Sequence, residues 1–186
     1  VGGMPLAIEL AASWVRALSW KDIAQDIRCS LEILSTSLRD IPERHRSIQA
    51  VLDHSWKMLS DMEQSIFSKL TVFSGSFQRD AATAVAGASL PMLLVLIDKS
   101  FLQNTENDRF VIHELVRQFG SVQLQDQNNL LMQTRIKHCQ YFAGYLHQRM
   151  DLLDDPQILE EVEAEFDNIQ PAWRFAVETE RLNEIS

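Results

Sequence analysis

Phe101-Leu102-Gln103 and Arg109-Phe110-Val111-Ile112 are the two stretches where the chain abandons a helical period. Both are rich in aromatic and β-branched residues, and the polar run Asn104-Thr105-Glu106-Asn107-Asp108 lies between them. Two short strands around a polar loop predict a β-hairpin. Immediately upstream, Leu90 to Asp98 is leucine-rich and opens with Pro91, which suits a helix because proline has no amide hydrogen to lose in the first turn. Further upstream, Asp80 to Ala86 reads as a short alanine-rich helix ended by the left-handed residue Gly87. Ser60-Asp61-Met62-Glu63 is a capping box, in which Ser60 and Glu63 satisfy each other's backbone amides, so a helix starts near Asp61 and carries Ile66, Phe67 and Leu70 inward. It runs into Val72-Phe73 and ends at the turn Ser74-Gly75-Ser76. Before it, Ile48, Val51, Leu52, Ser55 and Leu59 form one helical face. Three helices, a further helix and a hairpin in this order predict a winged helix-turn-helix unit with the hairpin as its wing.

Towards the C-terminus, His113 opens a helix with Leu115, Val116, Phe119 and Leu124 as its apolar positions. From Gln125 the pattern is helical again, with Leu130, Leu131, Ile136, Cys139, Phe142, Ala143 and Leu146 at three- and four-residue steps until Asp151 to Pro156 breaks it. A last helical segment, from about residue 158 to 182, holds Leu159, Val162, Phe166, Ile169, Trp173 and Val177, and Asp167-Asn168 with Pro171 suggest a fresh helix start inside it. At the other end, Gly2-Gly3-Met4-Pro5 leads into a helix over about residues 5 to 18, with Leu6, Leu10, Trp14 and Ala17 on one face. Ser19 and Asp22 form a variant capping box for a shorter helix carrying Ile23 and Ile27 towards Leu31. Ser35 to Arg46 is polar and interrupted by Pro42, which marks a boundary. The chain is therefore expected to be mainly α, with a small helical subdomain over 1–40, a winged helix over 41–124 and helical hairpins over 125–186.

Composition agrees with a helical class, since 6 glycines and 5 prolines in 186 residues are few for a protein built of tight turns. The formal charge of −9 repels a nucleic-acid backbone on balance. Cys29 and Cys139 are 110 positions apart in helical, apolar surroundings, so they read as buried thiols, which suits a reducing cytoplasm. No run of about 18 to 20 uncharged apolar residues is present, and Val1-Gly2-Gly3-Met4 is not followed by a signal-peptide pattern. The expectation is a cytoplasmic protein without a membrane span.

No catalytic centre is legible. A phosphate-cradling loop ending in Gly-Lys-Ser or Gly-Lys-Thr is missing, and Phe73-Ser74-Gly75-Ser76-Phe77 has Phe where a nucleophile elbow needs both flanking glycines. His113-Glu114 starts like a zinc-protease motif, but Arg117 stands where the second histidine belongs. His138-Cys139 has no second pair at finger-like spacing, so no metal site is expected. His45, His54, His138 and His147 read as solvated or partly packed rings and receive no role. His113 differs, because a ring at a strand-to-helix junction can face an anion together with the helix's free amides. By position alone it reads first as a capping or packing histidine and second as an anion contact.

Several separate stretches carry a family resemblance. Gly3-Met4-Pro5-Leu6-Ala7 resembles the Gly-Leu-Pro-Leu-Ala motif that opens the first helical domain of NB-ARC (STAND) signalling ATPases, with Met for the first Leu. Pro42 to Trp56 resembles the start of the winged-helix domain in bacterial members, many of them multidomain transcriptional regulators. Leu59-Ser60, Phe67 to Leu70, Val72 to Phe77 and Asp98 to Leu102 continue the likeness. Ile112-His113-Glu114 is similar to the family's Met-His-Asp motif, with Ile for Met and Glu for Asp. The likeness runs in the family's order over roughly residues 2 to 120. Glu165 to Trp173 is similar to the start of helical repeats in those regulators, with Pro171 unusual inside it.

The resemblance implies a regulatory segment that senses nucleotide without binding its phosphates alone. ADP would lie between a nucleotide-binding domain not contained in this segment and the two units that are. Gly3 and Pro5 match the motif against the adenine side, and His113 matches the residue that reaches the terminal phosphate of ADP. ATP exchange, with magnesium held by the nucleotide-binding domain, would free the winged helix. The implied partners are that domain and a protein, or a second copy, at the C-terminal helices. The segment itself is expected to lack enzyme activity. The alternatives are a DNA-binding winged helix, opposed by the nearly all-apolar Met92 to Ile97, and a plain helical interaction module.

Overall fold

The computed structural model describes residues 8, 11, 12, 15, 18–29, 48–105, 108–125 and 127–180. The described chain is mainly helical with one short antiparallel hairpin, in the order α1 (Trp20–Cys29), α2 (Ile48–Lys57), α3 (Asp61–Leu70), α4 (Arg79–Ala86), α5 (Leu90–Asp98), β1 (Gln103–Asn104), β2 (Phe110–Val111), α6 (Glu114–Gln125), α7 (Asn128–His147), α8 (Pro156–Ala164) and α9 (Phe166–Glu178). A 3-10 turn, Met150–Leu152, lies between α7 and α8. Of the first expected helix, Ile8, Ala11 and Ala12 are helical and Val15 lies in a 3-10 turn. Its other positions, the boundary at 35–46 and the side chain of Cys29 lie outside the described residues. The chain divides into two compact units, one comprising the described residues up to Gln64 with His113–Phe119, the other the described residues of 65–112 and from Gly120 onward.

In the first unit, local capping sets the helix starts. The Ser19 hydroxyl accepts from the Asp22 amide at 3.3 Å and donates to the Asp22 carboxylate at 2.6 Å, so Asp22 binds the capping hydroxyl and not the Ser19 amide. At α3 the box is reciprocal: the Ser60 amide donates to Glu63 Oε2 at 2.6 Å and the Glu63 amide to Ser60 Oγ at 3.4 Å. The Gln64 side-chain amide then donates to the carbonyl of Trp56 at 2.9 Å, as a second donor beside the Leu59 amide at 3.0 Å, and so ties α3 back to the end of α2. Trp56 meets Phe119 edge to face, with ring centroids 5.7 Å apart.

The second unit is organised around α7, which packs against both α4 and α9. Phe73 stacks on Phe77 at 4.3 Å and meets His138 and Phe142 of α7 edge on at 5.3 and 6.3 Å. Along the seam with α9, the buried thiol of Cys139 packs with Phe175 and Ala176. His138, read from the sequence as solvated or partly packed, is only 4 % exposed. Its place on α7 turns it inward, and aromatic neighbours fill the space that water would occupy. Helix α4 ends as expected: Gly87 sits at φ 72°, its amide reaches Thr83 O at 3.0 Å, and the Ala88 amide reaches Ala82 O at 3.2 Å. Helix α5 ends the same way without glycine, because Ser100 takes φ 63° while the Phe101 amide reaches Leu96 O.

The hairpin pairs Gln103 with Val111 and Asn104 with Phe110. Phe77 adds an isolated antiparallel bridge to Phe110, with both amide-to-carbonyl bonds formed at 2.9 and 2.8 Å, so a third extended segment flanks the hairpin. The sequence around Phe77 gives no alternation from which this bridge could be read. In the C-terminal part the expected fresh start falls at Glu165, which ends α8 and precedes α9. Pro171 lies inside α9, leaving the carbonyl four residues earlier, that of Asp167, without its helical donor. Phe166, Trp173, Val177 and Leu159 are 58, 48, 52 and 45 % exposed, and the buried face of α9 is instead Asn168, Ile169, Ala172, Phe175 and Ala176.

Candidate functional site

His113 is the residue that chemistry singles out in the first unit. Its carbonyl accepts the Arg117 amide at 2.9 Å, which makes it the residue preceding the first turn of α6. Its ring Nδ1 accepts the Leu115 amide at 3.2 Å. The imidazole therefore caps the helix, in the manner of a capping carboxylate or hydroxyl. Because Nδ1 receives a hydrogen, the neutral ring carries its own proton on Nε2, and that nitrogen is a donor. The side chain is half-buried, and its Nδ1 edge is fixed by the backbone.

The neighbouring Glu114 is hydrogen-bonded along its own helix. Its two oxygens take Arg117 Nε and Nη2, each at 2.8 Å, and the Gln118 amide at 3.0 Å. Burial pushes its carboxyl upward, but hydrogen bonds and charge from Arg117, the Gln118 bond and the nearby His113 together hold it below the usual carboxylate value. The pair is an exposed i, i+3 contact that keeps α6 charged at its start. Gly3 and Pro5, the two other expected nucleotide-contacting residues, lie outside the described residues, so the structure places His113 alone of the three. Among the described residues no three His, Cys, Asp or Glu side chains lie close enough together to hold a metal ion.

A second polar constellation, in the second unit, was not legible in the sequence. Arg109, at the start of the hairpin's return, forms an ion pair with Glu165 at 2.6 Å while both are buried, at 9 and 2 % exposure. Its Nε donates to Ser76 Oγ at 2.8 Å, and its Nη2 donates to the carbonyls of Ser76 at 2.9 Å and Ala164 at 3.4 Å. Asn168, fully buried, accepts the amides of Ser74 and Gly75 at 3.0 and 3.4 Å and donates to Ser76 O at 2.8 Å and Glu165 Oε2 at 3.4 Å. The Ser76 carbonyl thus uses both of its lone pairs. A single signal pointed this way: an arginine beginning an otherwise apolar strand must find a partner if that strand is buried.

The comparisons with known proteins give one consistent result. No family model matches the chain, and no solved structure matches it. Over 98 % of its length it is 30 % identical to proteins of Mycobacterium tuberculosis H37Rv and Mycobacterium bovis that carry the name "Putative HTH-type transcriptional regulator". Over 58 % of its length it is also 30 % identical to an uncharacterized protein of Mycobacterium tuberculosis H37Rv. The chain spans about a fifth of the length of the named regulators, 22 %. Over nearly its whole length, then, the chain is a relative of one part of mycobacterial proteins named as transcriptional regulators.

Proposed function

We propose that the chain is the nucleotide-state-sensing segment of a bacterial signal-transduction regulator, and that His113 reads the nucleotide. The relatives' name supports the regulatory half of this reading. The nucleotide half rests on the NB-ARC-like motifs and on one observation, the ring of His113 fixed by the Leu115 amide on Nδ1, which assigns the neutral ring's proton to Nε2. Capping and phosphate contact use different ring nitrogens, so one residue serves both. An N–H donated to a phosphate oxygen is a charge-assisted bond, stronger than a neutral one. The contact forms only in the ADP-bound resting arrangement, and such differential contact is what a switch requires. Residues 41–124 act as the winged-helix part and 1–40 as the end of the helical part. The groups that cradle the remaining phosphates and hold magnesium come from a nucleotide-binding domain outside this segment, and the segment has no turnover of its own. The relatives' name also admits a second reading, in which this segment binds DNA. Against it stand the charge of −9 and α5, whose outward residues include Leu90 and Leu94, at 42 and 51 % exposed, in place of base-reading side chains.

The test separates the two jobs of the ring. Aspartate is a good helix cap, so His113→Asp keeps the start of α6 but presents a carboxylate to the phosphate. In the full-length protein it speeds ADP dissociation about tenfold to hundredfold, the equivalent of about 1.5 to 3 kcal/mol for a charge-assisted bond, with little change in melting temperature. His113→Ala does the same to ADP and also weakens the helix start. An ADP dissociation rate unchanged in His113→Asp reduces His113 to a cap and removes the nucleotide reading.

A further inference from the structure

The segment from Met150 to Ala164 contains no buried residue. Helix α8 within it has Ile158, Glu161 and Val162 half-buried and exposes the rest, so it contributes little apolar burial to the second unit. What fastens it is polar and lies at two points. At Glu161, Arg149 donates from Nη2 and Nε at 3.2 and 3.3 Å, and the Tyr145 hydroxyl donates to the Glu161 carbonyl at 3.2 Å. Arg149 is itself held over the Tyr145 ring, its guanidinium carbon 3.7 Å from the ring centroid. At the other end Arg109 takes the Ala164 carbonyl and the Glu165 carboxylate. The helices on either side are anchored differently, α9 through its apolar seam with α7 and through Asn168.

Segments with few buried apolar contacts open at lower free energy than the core around them. We propose that residues 150–164 form a strap that lifts from the second unit while α7 and α9 stay paired, with Glu161 as its surface clip and the Arg109 bond to the Ala164 carbonyl as its catch on the hairpin. Two arginines hold the strap, one in the turn just after α7 and one on the hairpin, so its opening reports on both. Lifting it frees Arg109 from the Ala164 carbonyl and uncovers Tyr145 at the end of α7 and Arg149 in the turn that follows. The strap is thereby a device by which a change at the hairpin reaches the C-terminal helices, and the reverse.

The experiment is amide hydrogen exchange on the whole chain, read by peptide, with the arginine reagent phenylglyoxal as a second probe. In the wild type, 156–164 exchanges at least about tenfold faster than the central turns of α7 and α9. Glu161→Gln, a surface change that leaves the buried pair intact, speeds exchange in 156–164 about threefold and leaves α7 and α9 unchanged. Modification of Arg109 rises by the same factor, because the reagent reaches it through the same opening. Equal protection across 150–178 overturns the proposal, since the strap then opens only with the rest of the unit. So does an Arg109 modification rate that Glu161→Gln fails to move.

Discussion

His138 is the sharpest place to test the packing of the second unit. Its ring is held between Phe73 at 5.3 Å and Phe142 at 4.8 Å, and its Nε2 is buried without a hydrogen-bond partner. Burial drives its pKa down from 6.5 to about 4. The sign follows from proton counts. Between those values the unfolded chain binds a proton at this ring and the native chain does not, so acid favours unfolding. The stability associated with a neutral His138 is complete above about pH 6.5, falls as pH drops, and levels off below about pH 4. A gap of two and a half units corresponds to about 3 kcal/mol. His138→Phe keeps an aromatic ring of similar size, removes the titration and removes the orphaned nitrogen. Urea unfolding followed by circular dichroism, from pH 7.5 to 4, gives the difference in stability between variant and wild type. All other titrating groups cancel in that difference to first order. It should grow by about 3 kcal/mol in favour of the variant as the pH falls through this window. A difference that stays flat across the range refutes the burial of an unpaired neutral ring.

The remaining predictions concern the polar knot and one turn. Glu165→Gln, which leaves the Arg109 guanidinium buried without its counter-charge, should cost about 3 to 5 kcal/mol in chemical denaturation. Replacing both partners, by Arg109→Met with Glu165→Leu, should cost far less, and a double variant as unstable as the single one would show that the hydrogen bonds to Ser76 and Ala164, and not the ion pair, hold the site. Ser100→Gly should raise stability by about 0.5 to 1 kcal/mol, because Ser100 sits at φ 63° where a side chain is strained, and a lower melting temperature would contradict that account.

Gly120 has a reason that only the three-dimensional packing supplies. It lies within α6, where a helical pattern alone would prefer alanine, yet an added Cβ would come within 2.5 Å of Phe67 and 2.7 Å of Thr71. The same lesson applies to α9. Its sequence carries two apolar stripes at helical spacing, and periodicity cannot choose between them. The structure buries Ile169, Ala172, Phe175 and Ala176 and leaves Phe166, Trp173 and Val177 exposed, because Asn168 and Glu165 have to face the Ser74–Ser76 turn and Arg109.

The sequence by itself determined what depends on neighbours along the chain. The capping box at Ser60 and Glu63, the left-handed stop at Gly87, the hairpin between Phe101 and Ile112 and the helix start at His113 all follow from contacts within a few residues, whose geometry the residue types dictate. The tertiary structure alone decided what depends on residues far apart. Arg109 meets Glu165 across 56 positions and Asn168 meets Ser74 across 94, and no local pattern encodes either pairing. Nor does a local pattern encode the burial of His138, whose amphipathic helix offered both a wet and a dry side. Hydrogen bonds over such distances form only after burial has removed water from both partners. Their identity is therefore settled by how the helices pack, which the linear order of side chains does not state.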